Sequence, residues 1–89
     1  MKYNLVKKVT DRAEIDSVLL NILAYPDQFY CDSILETDDR VIVRYLRREI
    51  RRDESTNEII SRYRNVFYIH SSKEDHTFTK ICIYELEEL

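Results

Sequence analysis

Eight of the nine arginines in this 89-residue chain fall between Arg40 and Arg64, although the formal net charge of the whole is -3. Arginine presents a planar, permanently charged fork of donors, which matches carboxylates and phosphates better than the point charge of lysine does. Tyr45, Tyr63 and Tyr68 are interleaved with or flank these arginines, and each adds a flat apolar ring with a polar tip. The chemistry of such a mixture is recognition. It suits a protein surface, where Arg and Tyr are favoured hot-spot residues, and it suits unpaired bases, which stack on aromatic rings while cations meet the phosphates.

Charge distribution separates these two partners. Met1 to Asp39 carries four basic and eight acidic residues, Arg40 to Arg64 carries eight and four, and Asn65 to Leu89 carries two and five. The chain is dipolar rather than basic, and a pI near 5.4 is unlike the field of most nucleic-acid binders. A protein partner with an acidic or mixed surface is the first expectation. RNA or another single-stranded nucleic acid is the second.

Other chemistry has less to rest on. His70 and His76 are accompanied by Glu74 and Asp75, yet their spacing matches no metal motif. Ser71 and Ser72 lie next to His70 without a third group to orient a base. Cys31 and Cys82 lack CxxC spacing, so they read as small buried hydrophobes in a reducing cytoplasm, and a disulfide requires the fold to bring them together. The chain contains no glycine, which excludes the Walker and Rossmann loops, and no cofactor is expected. The apolar run from Val18 to Tyr25 is interrupted by Asn21 and falls short of the roughly 20 residues of a membrane span. The first residues, with Lys2, Lys7 and Lys8, contain no apolar h-region, so neither export nor a membrane partner is expected.

The elements that must position the arginines follow from periodicity. Lys2 to Val9 reads as a first strand. Thr10 or Asp11 can cap a helix, with Glu14 three residues after Asp11 as in a capping box, and Ile15, Val18, Leu19, Ile22 and Leu23 form one helical stripe that Pro26 ends. Beyond Pro26 the runs are β-rich, with strands expected at Gln28 to Glu36, Arg40 to Arg51, Glu58 to His70 and His76 to Leu86. Polar clusters at Thr37 to Asp39, Asp53 to Asn57 and Ser71 to Asp75 separate them. Thr37 also resembles a helix cap, but the Val41-Ile42-Val43 run and the spread of apolar positions favour a strand after it. The fold class is therefore α+β, a single domain with one amphipathic helix packed on an antiparallel β-meander in the order β-α-β-β-β-β.

A loop centred on Glu54 and Ser55, leaving Arg52 opposite Asn57, predicts the faces of the central hairpin. Ile42, Leu46 and Ile50 would join Ile59, Tyr63 and Phe67 against the helix. Tyr45, Arg47 and Arg51 would share the outer face with Arg62 and Arg64, with Glu49 and Glu58 beside them. Arg44 and Arg48 would lie at the rim. In this register Arg47 and Arg62 stand side by side and repel unless a partner neutralises them. The partner-binding set is thus Tyr45, Arg47, Arg51, Arg62 and Arg64, with Arg44, Arg48 and Tyr68 secondary. No catalytic or metal-binding residue is assigned.

The stretch from Ser61 to Tyr68, followed by a turn and Ile81-Cys82-Ile83, resembles the central hairpin of RelE/ParE-type toxins. That resemblance implies a small metal-independent ribonuclease in which arginines hold phosphate and a Tyr or His moves the proton. The chain departs from the family in having one early helix and an acidic balance, and no catalytic residue carries over. The reading that accounts for most of the residues is a non-enzymatic inhibitor or regulator, of the kind carried by phages and mobile elements, that engages a larger partner.

Overall fold

The chain builds β1 (Tyr3–Val9), α1 (Arg12–Ala24), β2 (Phe29–Glu36), β3 (Arg40–Arg52), β4 (Ile59–Ser72) and β5 (Phe78–Leu86). This is the expected α+β order, seen in a computed structural model that describes residues 2–87. The strands form one sheet in the order β1-β5-β4-β3-β2, with every neighbouring pair antiparallel. β2 to β5 are the meander. β1 lies outside β5, so α1 carries the chain from one sheet edge to the other and covers one face on the way.

Of the two candidate caps, Thr10 and Asp11, Asp11 serves: its carboxylate accepts the Glu14 N–H at 3.2 Å. Ile15 and Ile22 are buried beneath it with Val9, Phe29, Phe67, Ile69 and Ile81, and Val18, Leu19, Tyr45 and Ile83 pack on this core. Phe29 and Phe67 meet edge to face at 5.5 Å, a geometry that the ring quadrupoles favour.

Turns without glycine are closed by side chains. Thr37 Oγ1 accepts the Arg40 N–H at 3.2 Å. Asp53 accepts from the Ser55 N–H and hydroxyl at 2.9 and 2.7 Å, and Asp75 accepts from the Thr77 N–H and hydroxyl at 3.1 and 2.8 Å. These bonds hold both carboxyls below the usual range. Asn57 and His76 take the positive φ values, 59° and 62°, that glycine would normally supply.

The register of the central hairpin differs from the expected one, and a bulge is the reason. Arg52 faces Ile59, two residues further along than expected, which preserves the sidedness near the tip. Between Arg48↔Tyr63 and Arg47↔Asn65 the ladder shifts by one, leaving Arg64 as the extra residue on β4. A one-residue shift transfers every following side chain to the other face. Phe67 and Ile69 therefore share a face with Tyr45 and Val43, and this is the helix side. Ile42 and Leu46, expected in the core, lie on the opposite face, while Tyr45, expected outward, packs against the core. The predicted repulsion of Arg47 and Arg62 is also absent, because Arg62 stands across from Glu49 and Arg47 across from Asn65.

β3 and β4 outrun their neighbours. β2 reaches Arg47 and β5 reaches Asn65, so the residues beyond form a two-stranded arm and the molecule measures 51 × 26 × 21 Å.

Candidate interaction face

With α1 on one side, the other side of the sheet has no covering element among the described residues. Cross-strand partners show what it presents. Tyr68 pairs with Arg44, Tyr84 with Val66, Tyr30 with Leu46, Tyr63 with Arg48, and Tyr3 with Leu86, so these five of the seven tyrosines stand on the open face. Leu5, Leu35, Ile42, Leu46 and Ile50 supply aliphatic groups to the same side. Cations frame them: Lys8 on β1, Lys80 on β5, and Arg48 and Arg52 on the arm. The strand carboxylates Glu36, Glu49 and Glu85 follow the opposite parity, across from Val41, Arg62 and Asn65, and lie on the helix side.

The centre of this face is fixed by one ion pair. Arg44 donates through Nε to Asp32 Oδ1 at 2.8 Å and through Nη2 to Oδ2, and its Nη1 reaches the Tyr68 hydroxyl at 3.5 Å. A bidentate guanidinium–carboxylate pair is directional as well as strong. The hydrogen bond from Arg44 holds the Asp32 carboxyl below its ordinary range, and Asp32 in turn raises the already high value of Arg44. Asp32 occupies the bulge of β2, between Cys31↔Tyr45 and Ser33↔Arg44, which lets its carboxylate reach an arginine on the neighbouring strand. Tyr68 is held further by an edge-to-face contact with Tyr84 at 5.5 Å. Two shallow concavities flank Arg44 and Tyr68. One of about 440 Å³ reaches Tyr3, Leu46 and Val66, and the other of about 400 Å³ reaches His70 and Lys80.

The residues singled out from sequence are divided between the two faces. Tyr45, Arg47, Arg51, Arg62 and Arg64 share the helix side, as a group, with Tyr45 under α1 and the arginines beyond it. Arg47 donates to Asn65 Oδ1 at 3.1 Å, Arg62 to Glu49 Oε2 at 3.3 Å, and Arg64 to Glu85 Oε1. Arg51 is exposed. Arg44 and Arg48 lie on the open face instead of the rim, because they follow the even-numbered parity of Ile42 and Leu46 on β3, and Tyr68 lies on that face with them. Tyr3, Tyr30, Tyr84 and Lys80 were not anticipated. The alternation of Ile81 and Ile83 with Lys80, Cys82 and Tyr84 is the sequence signal for Lys80 and Tyr84, since only one of these sets can face the helix.

The remaining chemistry is dispersed. His70 is partly buried in β4 and His76 is exposed in the turn. No group of three or more His, Cys, Asp or Glu side chains among the described residues is placed to hold a metal ion. Cys31 is exposed on edge strand β2 and Cys82 is half-buried on β5, both as free thiols with two strands between them; burial of Cys31 is thus corrected by its place at an open edge. No described helix is long and apolar enough to cross a membrane. Comparison with protein families, with curated proteins and with solved structures gives no match for this chain.

Proposed function

We propose that this chain is a stoichiometric binding protein, an inhibitor or regulator, that docks on a protein partner through the open face of its sheet and the arm that prolongs it. The observation that carries the reading is an uncovered sheet face with an aromatic and aliphatic centre and a cationic frame, on a protein whose net charge is -3. Tyr30, Leu35, Ile50 and Ile59 are 58%, 58%, 60% and 69% exposed on that side. Exposed apolar groups with a charged surround are the anatomy of a protein interface. Like-charged frames oppose a face-to-face pair of copies, so the partner is a different protein, with carboxylates around an apolar patch.

Five tyrosines on one sheet face also favour a second reading, stacking on single-stranded RNA. Aliphatic groups among the rings and the ion-paired Asp32 at the centre fit a polyanion less well. Affinity capture with and without nuclease separates the two. A nuclease-resistant complex that Arg48→Ala or Tyr63→Ala weakens by about 1 kcal/mol or more is expected of the protein partner. A complex lost on nuclease treatment, with affinity falling steeply as salt rises, would overturn it in favour of nucleic acid.

A further inference from the structure

The concavity of about 400 Å³ beside Arg44 is lined by His70 and Lys80, two side chains that the fold leaves without a hydrogen-bond partner among the described residues. The Nδ1 atom of His70 is buried without a hydrogen-bond partner. Across the β4–β5 ladder from it stands Lys80, whose ammonium makes no hydrogen bond or ion pair among the described residues, whereas Lys73 on the same end of the sheet is bridged to Glu36 at 2.8 Å. Ile42, Tyr68 and Tyr84 wall the same space. An ammonium and an imidazole able to donate one N–H, lining a hollow with apolar walls, form a receptor for one anion attached to an apolar group.

We propose that this concavity is the specificity pocket of the open face and takes a single carboxylate side chain, flanked by apolar residues, from the protein partner. The inference rests on the protein-docking reading above. A carboxylate fits better than a phosphate backbone for two reasons. Lys80 and His70 make one anion position rather than a row of them, and Asp32 beside it opposes a repeating polyanion. The charged groups around His70 agree with an anionic ligand: Lys80 on β5 and Arg40 on β3 add to burial in keeping its ring neutral, while the nearby carboxylates Asp32 and Asp39 are engaged by Arg44 and Arg40. A bound carboxylate reverses this balance and raises the His70 pKa.

Sodium hexanoate, hexanol and hexyl phosphate, titrated at neutral pH and constant ionic strength into the isotopically labelled 89-residue chain, test the pocket without the partner. The His70 ring and Lys80 side-chain signals are expected to move saturably with hexanoate, with His76 as the internal reference that does not move. Lys80→Met, which keeps the apolar stem, is expected to weaken hexanoate at least tenfold and to leave hexanol unchanged. Equal response to hexanol and hexanoate would overturn the proposal, as would hexyl phosphate binding tenfold more tightly than hexanoate. Because partner capture and hexanoate binding are measured separately, failure of the pocket and failure of the docking surface are told apart.

Discussion

Replacing Tyr45 and Leu46, adjacent on β3, by alanine tests the sidedness on which everything else depends. Tyr45 packs on the core beneath α1, while Leu46 lies on the open face with Val66 and Tyr84. An enclosed Tyr ring buries about 150–250 Å². For the half-buried Tyr45, roughly 100 Å² is at stake, or about 2.5 kcal/mol at ~25 cal/mol per Å². Leu46 is also half-buried but has no covering layer, and about half of the ~1.5–3 kcal/mol for a fully buried leucine is about 1 kcal/mol. Urea unfolding followed by circular dichroism reads the difference. With a slope of ~1 kcal/mol/M for a small domain, the Tyr45→Ala midpoint should fall about 1.5 M further than that of Leu46→Ala. A ladder without the Arg64 bulge reverses the order, because Leu46 would then be a core leucine whose truncation costs ~2–5 kcal/mol. Leu46→Ala proving the more destabilising variant would refute the face assignment.

Arg44→Met should remove the main interaction that lowers the Asp32 pKa. A depressed folded pKa contributes stability above the unfolded value that is lost as pH falls through the folded one, so the wild type should exceed the variant by about 1 kcal/mol at neutral pH. That margin should shrink below about pH 4, and a pH-independent margin in thermal melts would contradict the pair's role. In a double-mutant cycle, Phe29→Ala and Phe67→Ala should couple by about 0.5–1.5 kcal/mol through their edge-to-face contact; additive losses would mean that the rings contribute only through separate burial.

Much of the fold was legible because its signals are local. Asp11, Glu14 and Pro26 bracket the helix, and three polar clusters locate the turns that Asn57 and His76 complete without glycine. What stayed hidden is non-local. Nothing in the residues around Arg64 marks it as a bulge, since its role is set by which residues of β3 it fails to face. That single offset decides which side of β4 meets the helix. It also disperses the arginine cluster: Arg62 and Arg64 answer Glu49 and Glu85, Arg44 answers Asp32, and only the even-numbered arginines of β3 remain with the tyrosines. The arginine window signalled recognition, but the face that can perform it is completed by Tyr3, Lys8, Lys80 and Tyr84, which come from both ends of the chain and are invisible to any local count.

The most direct test of the open face as a docking surface is site-specific photo-crosslinking in the source cell. A photoreactive phenylalanine analogue replaces Tyr30 or Tyr63 on the open side, or Leu20 or Leu23 on the exposed side of α1, where these residues are 58%, 42%, 65% and 76% exposed. A discrete, nuclease-resistant protein adduct from Tyr30 and Tyr63, with none from Leu20 and Leu23, is the predicted result. Adducts from the helix positions alone, or adducts that nuclease removes, would contradict it.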